Sequence, residues 1–340
     1  MDRNDELLAD WRARALALEA EVNKVVVGQE RVVRLVNTAI FARGHVLLQG
    51  DVGVGKTTLL RAFAQGLGGA YARIEGSVDL MPGDLIYYTY IGEQGRPAVE
   101  AGPLIRHGED LAIFFFNEIN RARPQVHALL LRAMAERSVE AFNREYKFPH
   151  LLVFADRNRV EREETFEVSA AARDRFMMEI AIDAPTGEAD RRALIFEPRF
   201  HDADALLASL AAAQLPHREL NALAATIQHT VQAADALQKY ALDLWQATAQ
   251  PARYGIKLPD IDSAQLMLAG ASPRGMSLML RAARTSAWLA GRGYVTPEDV
   301  QAVFEQTIAH RLCYQPVFEH HRQEISPLLM RATLAAVAAP

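Results

Sequence analysis

The chain has 340 residues, a formal net charge of −5 and a single cysteine, Cys313. Its length predicts about two domains, each large enough to bury a core. The acidic balance disfavours a nucleic-acid motor, because binding to a phosphate backbone requires clustered Lys and Arg. A single cysteine cannot form an internal disulfide and is typical of a reducing compartment. With the charged N-terminus and no apolar run of membrane-spanning length, it predicts a cytoplasmic protein without a transmembrane segment.

The first half of the chain predicts an α/β domain over residues 1–184. Helical patterns come first, and short apolar runs then alternate with helical patterns, as in a parallel sheet covered by helices. The run Ile113–Phe116 is apolar without alternation, which is typical of a central strand that is buried on both faces. The predicted strands are Val46–Gln49, Tyr71–Ile74, Ile113–Phe116, Leu151–Ala155 and Met178–Ile182.

Two hairpins are predicted within this domain. Residues 87–99 carry β-forming residues, several of them tyrosines, on both sides of a turn bounded by glycines. Val139–Ala141 can pair with Tyr146–Phe148 around a short turn. The second hairpin is short, and we expect it to be structural.

The second half of the chain, residues 185–340, predicts an all-helical domain. Strand signals give way there to patterns rich in Ala and Leu. Ser272-Pro273 predicts a helix start, because serine is a preferred N-cap and proline a preferred first residue. Thr296-Pro297 predicts a second start, and acidic residues follow it in the first turn, where they favour the helix dipole.

The segment Gly50 to Thr57 reads G-D-V-G-V-G-K-T and matches G-x-x-x-x-G-K-[ST], the phosphate-binding P-loop. It lies between a strand pattern and a helical pattern, which is the context that the motif requires. Glycines let backbone N–H groups turn inward around a phosphate, and the following helix N-terminus adds a partial positive charge. In this motif Lys56 neutralises the β- and γ-phosphates of ATP, and the Thr57 hydroxyl is a ligand of Mg²⁺. The residues expected around the nucleotide are Asp51, Val52, Gly53, Val54, Gly55, Lys56, Thr57 and Thr58.

A second part of a P-loop site is an apolar strand that ends in acidic residues. The match is Ile113–Phe116, which is followed by Asn117 and Glu118 where an Asp-Glu pair is usual. Glu118 can polarise the water that attacks the γ-phosphate. Asn117 offers Mg²⁺ a neutral carbonyl in place of a carboxylate, although this ion prefers charged oxygen ligands. We therefore expect weak metal binding or slow turnover.

These motifs and several others resemble those of the MoxR family of AAA+ ATPases, over nearly the whole chain. Each is weak alone, and together they are specific. The resemblance implies an AAA+ P-loop domain with a central parallel sheet, followed by a helical lid domain. The matching stretches are Val27–Glu30, Gly44–Leu48, Gly50–Thr57, Asn117–Ala122, Asp174–Phe176, Gly270–Arg274 and Tyr294–Val300.

The resemblance also implies a mode of action. Family members bind ATP between the subunits of a homo-oligomeric ring, usually a hexamer. They act as chaperone-like ATPases in the maturation of a client metalloenzyme, or in metal or cofactor insertion, often beside a partner with a von Willebrand factor A domain. Within the family, the Asn117-Glu118 pair and the Asp-Arg-Asn-Arg segment at 156–159 most resemble the MoxR proteins encoded with methanol dehydrogenase systems.

Three catalytic roles of the family fall on matching positions. Asn158 lies where the sensor-1 residue contacts the γ-phosphate or the attacking water, although the segment around it departs from the usual A-T-Q-N-P; a plain strand-end asparagine is the alternative. Arg175 matches the arginine finger that reaches the nucleotide of the neighbouring subunit, with Arg173 as the alternative. Arg274 matches sensor 2, in the first turn of a lid helix.

Two further segments have family counterparts. Gly28 and Gln29 resemble the segment that borders the adenine, largely through backbone contacts. The hairpin 87–99 corresponds to an insertion that faces the central opening of the ring. Its tyrosines either grip a client or pack the hairpin against the sheet, and both interpretations stay open.

Two functions of different kinds remain. The leading hypothesis is an ATP-hydrolysing machine that remodels a partner enzyme. The alternative is a nucleotide-gated ring scaffold with little hydrolysis, which the missing aspartate at position 117 favours. A motor acting on DNA would need a basic hairpin, and Arg96 is the only basic residue of residues 87–99, so no nucleic-acid partner is expected.

Overall fold

The computed structural model describes residues 3–92, 94–158, 166–210 and 215–340. Glu93 of the first hairpin and Arg159 of the variant sensor-1 segment lie outside the described residues. The chain forms two compact units. One comprises residues 14–175 and 180–221, and the other comprises residues 1–13, 176–179 and 222–340. These limits mark compact units rather than domains, so the predicted domain boundary at residue 184 stays a prediction.

The secondary structure is described in chain order. The helices are α1 (Arg3–Val25), α2 (Glu30–Phe41), α3 (Lys56–Leu67), α4 (Pro124–Glu136), α5 (Ala170–Arg173), α6 (Glu188–Phe196), α7 (Ala203–Ala208), α8 (Leu220–Thr230), α9 (Asp235–Ala249), α10 (Pro273–Leu289), α11 (Pro297–Ile308), α12 (Pro316–Glu319) and α13 (Arg322–Ala336). The strands are β1 (Val46–Gln49), β2 (Ala70–Glu75), β3 (Tyr87–Ile91), β4 (Pro97–Ala101), β5 (Leu111–Asn117), β6 (Ser138–Ala141), β7 (Arg144–Lys147), β8 (Leu152–Arg157), β9 (Met178–Ala181), β10 (Met267–Ala269) and β11 (Cys313–Tyr314).

A five-stranded sheet in the order β2-β5-β8-β1-β9 organises the first unit. β2 pairs with β5, β5 with β8, and β8 with β1, each pair in parallel. Every residue of β5 is buried, which confirms the prediction of a central strand covered on both faces. Because parallel strands end at the same edge of a sheet, β1, β5 and β8 bring their carboxyl ends together, where open α/β sheets bind ligands.

The strand predictions are confirmed, with small differences at the ends. β1 has the predicted bounds, whereas β8 runs on beyond Ala155 to Arg157. The extension arises because Asp156 and Arg157 continue the pairing with Leu48 and Gln49 of β1. The two predicted hairpins are also present, as the antiparallel pairs β3–β4 and β6–β7.

The P-loop helix and the central strands all contribute fully buried phenylalanines to the core. Phe63 of α3 is fully buried, as are Phe114 and Phe116 of β5 and Phe154 of β8. Full burial of such a side chain contributes roughly 1.5–3 kcal/mol.

The second unit is largely helical, and the predicted helix starts are confirmed. The hydroxyl of Ser272 accepts the backbone N–H of Gly275 at 3.2 Å at the start of α10. Thr296 and Asp299 form a reciprocal cap at the start of α11. The antiparallel pair β10–β11 was not predicted, because strands this short carry no readable alternation. Among the described residues, no helix is both long and apolar enough to cross a membrane.

Candidate nucleotide-binding and hydrolysis site

The P-loop connects β1 to α3 in the backbone conformation that its glycines allow. Gly53 and Gly55 have φ of +82° and +88°, a left-handed region that residues with a side chain rarely adopt. Apart from each glycine and its chain neighbours, no heavy atom of the described residues lies within 4 Å of the place of a Cβ on either one, so the loop is open there. Gly50 is different, since a Cβ on it would collide with the carbonyl oxygen of Ile182. The first glycine therefore seats the loop against the sheet, and the later ones leave room for a phosphate.

Lys56 is the first residue of α3, and oxygen atoms surround its ammonium group. Its Nζ donates to the carbonyl oxygens of Gly50 at 2.6 Å and Asp51 at 3.3 Å. It also donates to Oδ1 of Asn158 at 2.6 Å, and Oδ2 of Asp156 lies 3.3 Å away. The side chain is buried along the loop. It is thus already placed where a phosphate oxygen in the loop would meet a cation.

Glu118 follows β5 in a left-handed conformation with φ of +52°. Its carboxylate is held from two sides. Asn158 donates from Nδ2 to Oε1 at 3.1 Å, and Nε of Arg121 lies 3.3 Å from Oε2. A fixed carboxylate at the end of this strand can orient a water and accept its proton.

Asn158 connects the lysine to the glutamate. Its carbonyl oxygen accepts from Lys56, and its amide nitrogen donates to Glu118. The orientation of the amide follows from these partners, because the flipped amide would set N–H groups against an ammonium group and an oxygen against a carboxylate. The structure therefore brings together three predicted site residues, from the start of α3 and from the ends of β5 and β8. The sensor-1 role of Asn158 stays a prediction.

Asp156 is a further residue of this cluster, which was not predicted from the sequence. It lies on β8 with 1% of its surface exposed, and its Oδ1 accepts the backbone N–H of Glu118 at 2.6 Å. Burial raises the pKa of this carboxyl above its usual value, while the N–H of Glu118 and the charge of Lys56 oppose that shift. The signal was present, since an acidic residue after an apolar run also identified Glu118.

Two other contacts of Glu118 were also not predicted. Arg121 approaches its carboxylate from the next turn of the chain. Gly76 donates its backbone N–H to the carbonyl oxygen of Asn117 at 2.8 Å, and a Cβ on Gly76 would collide with the carbonyl oxygen of Glu118. Arg121 lies in the stretch Asn117–Ala122 that resembles the family, but no role was assigned to it from the sequence, and Gly76 belongs to no motif. Only the fold shows that both lie beside Glu118.

The residues predicted for Mg²⁺ fit an ion that arrives with ATP. Thr57 is the second residue of α3, and Asn117 is the buried last residue of β5. Among the residues that the structure describes, no three His, Cys, Asp or Glu side chains are grouped to hold a metal by themselves. Mg²⁺ usually keeps several waters and binds through one or two protein groups together with phosphates. Thr57 and Asn117 would hold the ion, which would offset the negative charge of the phosphates.

Gly28 and Gln29 lie beside the chain that follows β9. Gly28 has φ of +70°, and a Cβ on it would stand 2.9 Å from both Pro185 and Asp190. Gln29 donates from its side-chain amide to the carbonyl oxygen of Asp183. This segment is thus fixed in place, and its contact with adenine stays a prediction.

Arg173 is the last residue of the short helix α5, which begins after the N-cap Ser169. Arg175 lies two residues further on. Arg175 donates from Nη1 to the carbonyl oxygen of Ala171 at 2.9 Å. Its Nε is buried without a hydrogen-bond partner in the described part of the chain. None of its described contacts is with Lys56 or Glu118, so the structure does not bring Arg175 to the site of its own chain. A finger role would require a neighbouring subunit and stays a prediction.

Arg274 is the second residue of α10, in the other compact unit, and its side chain is exposed. A cation in the first turn of a helix is unfavourable beside the helix dipole. That observation agrees with a ligand-facing role, and the sensor-2 assignment stays a prediction.

The first hairpin presents its tyrosines to the outside. Tyr87, Tyr88 and Tyr90 are 40%, 43% and 53% exposed, and every residue of β3 is exposed. Tyr87 also makes a contact within the chain, since its ring lies 5.5 Å from that of Phe142 at the tip of the second hairpin. The tyrosines do not pack as a group against the central sheet.

Comparison with known proteins identifies the fold and the family of the chain. The profile of the ATPase family associated with various cellular activities (AAA) matches residues 45–178, and the profile of the AAA lid domain matches residues 262–328. The crystal structure of a protein from Cytophaga hutchinsonii superposes with a TM-score of 0.81 at 27% identity, over 98% of this chain and 97% of that one. Fold and site thus define a P-loop ATPase of the AAA class with a helical lid.

Two relatives narrow the assignment. The chain is 59% identical over 336 residues to Protein MoxR of Methylorubrum extorquens, which covers 99% of this chain and 98% of the relative. It is 33% identical over 328 residues to Chaperone MoxR1 of Mycobacterium tuberculosis, covering 94% and 81%. The chain belongs to the MoxR family of AAA+ ATPases.

Proposed function

We propose that this protein hydrolyses ATP to ADP and phosphate and uses the cycle, as a chaperone-like ATPase, to mature a partner enzyme. The observation that carries the proposal is the connection of Lys56, Asn158 and Glu118 at the P-loop. The hydrogen bonds join the ammonium group of Lys56, which can bind phosphate, to the carboxylate of Glu118, which can activate water. Asn158 lies between them and can sense the γ-phosphate. Turnover is slow, because Asn117 leaves the metal side of the strand end without its usual carboxylate.

The nucleotide is ATP with Mg²⁺, held by residues 51–58 and bordered at its base by Gly28 and Gln29. Thr57 and Asn117 face the metal. Glu118 and Asn158 act on the attacking water, and Arg274 of the lid reaches the phosphates as sensor 2. We place the nucleotide-binding domain in residues 1–184 and the lid in residues 185–340.

The active form is a homo-oligomeric ring, most simply a hexamer, in which Arg175 completes the site of the next subunit. The Nε of Arg175, buried and unpartnered among the described residues, supports this, because an orphaned guanidinium nitrogen is costly unless it gains an acceptor. Without a partner subunit, such a site would bind ATP and hydrolyse it slowly.

The client is a metalloenzyme, and the subfamily resemblance indicates a methanol dehydrogenase, contacted by this cytoplasmic protein either before export of the client or through membrane partners. A von Willebrand factor A-domain protein assists. The exposed tyrosines of β3 support a protein client rather than a nucleic acid, since aromatic side chains are enriched in protein interfaces and Arg96 is the only basic residue of residues 87–99. Capture in the ATP-bound state tests this: Glu118→Gln with ATP should retain the client, Lys56→Ala should not, and mass spectrometry identifies the protein.

The second candidate is a ring scaffold that is gated by ATP but hardly hydrolyses it, and Asn117 is the observation that favours it. Phosphate release by the purified protein with ATP and Mg²⁺ separates the two. The proposed ATPase loses release in Glu118→Gln and keeps it in Glu145→Gln, a change at an exposed hairpin residue. Tight binding of ATP with no release above the Glu118→Gln level would instead support the scaffold.

A further inference from the structure

Two departures from the usual pattern of this site lie side by side in the sheet. Asn117 ends β5 where an aspartate is usual, and Asp156 lies on β8 in the segment that departs from A-T-Q-N-P. β5 and β8 are parallel neighbours, with Phe116 opposite Ala155. Asn117 and Asp156 are the next residues on these strands. Position 117, where the usual carboxylate is missing, and position 156, where an unusual carboxylate is present, are therefore neighbours across the two strands.

Asp156 also has the contacts expected of a working part of the site. One carboxylate oxygen lies 3.3 Å from Nζ of Lys56, and the other accepts the backbone N–H of Glu118 at 2.6 Å. A carboxylate with 1% exposure is unfavourable unless its partners compensate for lost water. The partners that compensate here are the phosphate lysine and the backbone of the catalytic glutamate.

The total charge at the strand ends is the same in the two arrangements. An Asp-Glu pair sets both carboxylates after β5. In this chain Glu118 provides one after β5 and Asp156 provides the other on β8. Because screening is weak in a buried cleft, a charge moved to the neighbouring strand still acts on the same cation. The group that β5 itself offers to the metal stays the neutral amide of Asn117, which is why the proposed turnover is slow.

We propose that Asp156 is a positioning residue of the ATPase site, which supplies from β8 the negative charge that an aspartate usually supplies from β5. It keeps Lys56 aligned with the P-loop, fixes the backbone of Glu118, and adds charge beside the metal that binds with ATP. This inference rests on the proposed function. It also explains Asn117, because a second carboxylate at that position would face Asp156 and repel it.

An exchange of the two residues tests this. The proteins are the wild type, Asp156→Asn, Asn117→Asp and the double variant, and the first readout is the Mg²⁺ concentration needed for half-maximal binding of a fluorescent ATP analogue. Asp156→Asn should raise that concentration by about 10- to 100-fold, the usual effect of removing an outer carboxylate. Asn117→Asp alone should bring no gain. The double variant should recover most of the loss, because the carboxylate is present again, on β5.

A separate readout of phosphate release follows kcat, which should fall in Asp156→Asn and rise again in the double variant. Asp243→Asn is the matched control, since Asp243 lies on α9 and pairs only with an exposed lysine at 2.9 Å in its described contacts. A purely structural role for Asp156 would not be rescued from position 117. A double variant as impaired as Asp156→Asn would therefore overturn the inference.

If Asp156→Asn does not fold, the Asn117→Asp variant decides. A lower Mg²⁺ requirement than in the wild type would show that Asp156 does not already supply the charge, and an unchanged or higher requirement supports the inference. Failure of the proposed function gives a different result. A wild type that binds no ATP would refute the nucleotide site itself. A wild type that binds ATP with Mg²⁺ but never hydrolyses it would refute the ATPase function, and the Mg²⁺-dependent binding measurement would still test the role of Asp156.

Discussion

Lys56 and Asn158 are joined by a hydrogen bond of 2.6 Å from Nζ to Oδ1, although 102 positions separate them in the chain. The bond links the P-loop to the end of β8. Since Asn158 also donates to Glu118, loss of a γ-phosphate at the lysine can be transmitted to the glutamate through one side chain. This arrangement makes the roles of the three residues separable by mutation.

Lys56→Ala should lose most nucleotide affinity. Each charged hydrogen bond to a phosphate contributes roughly 1.5–3 kcal/mol, so a loss of about 10- to 100-fold in affinity is expected, measured by titration calorimetry with ATP. Lys239→Ala, at an exposed lysine of α9, is the control. Because Lys56 is buried beside Asp156, circular dichroism must show that the variant is folded. Unchanged affinity in a folded variant would remove the P-loop assignment.

Asn158→Ala and Asn158→Asp should separate sensing from binding. Both keep ATP binding within a few-fold, and both should reduce kcat by about 100-fold, the usual effect of losing one preorganised donor. Asn158→Asp retains an oxygen for Lys56 but has no N–H for Glu118. If Asn158→Asp keeps the wild-type kcat, the contact with Glu118 is not needed for hydrolysis.

Arg175→Ala should bind ATP normally and lose hydrolysis by roughly 10³-fold or more, as expected for an arginine finger. Arg173→Ala is the matched comparison, since Arg173 ends α5 and Arg175 lies two residues further on. Mixing Arg175→Ala with Glu118→Gln subunits should restore part of the activity, because mixed rings contain intact interfaces. Absence of this complementation, when labelled subunits are seen to exchange, would argue against a finger in trans.

His127 should make the protein less stable in mild acid. Burial lowers its pKa below the usual value of 6.5, and its Nε2 lies 2.7 Å from the carbonyl oxygen of Ile119 in the turn after Glu118. The folded state therefore resists protonation more than the unfolded state. The stability contribution is complete above pH 6.5 and is lost as the pH falls through 6.5 towards the folded pKa. Because one proton is involved, the free energy of unfolding falls by at most about 1.4 kcal/mol for each pH unit in that window.

His127→Gln keeps a donor for the carbonyl oxygen of Ile119 but does not titrate. Denaturant unfolding at pH 7.5 and pH 5.5 should show a smaller loss of free energy in this variant than in the wild type. His107, His150 and His217 have lowered pKa values as well, so some acid loss remains in both proteins. Equal losses in the two proteins would mean that His127 is not a source of the acid sensitivity.

Local sequence was sufficient for elements whose signal is contiguous. The P-loop motif needs only Gly50, Gly55, Lys56 and Thr57 with the flanking strand and helix, and all of these lie within one short segment. The apolar run of β5 identified the central strand for the same reason. The caps at Ser272 and Thr296 were readable because capping depends on residues within one turn of the helix.

The exact lengths of strands, and the presence of very short strands, were harder to predict from the sequence. β8 runs beyond its apolar run because pairing with β1 holds Asp156 and Arg157, and pairing between distant segments leaves no local trace. β10 and β11 are too short to carry a pattern. The exposure of Tyr88 and Tyr90 was undecided from the sequence, because the same residues suit a packed hairpin and a free one.

Local motifs were enough to establish that this chain carries a P-loop and belongs with the AAA+ ATPases, since those motifs are contiguous and specific. The folded chain was needed to show that Lys56, Asn158 and Glu118 form one hydrogen-bonded group, and that Asp156 lies beside Asn117. The parallel register of β5 and β8 sets Phe116 opposite Ala155. A shift of one residue would turn Asp156 to the other face of the sheet, since side chains alternate along a strand. The position of the carboxylate is therefore a property of strand pairing, which the local pattern does not contain.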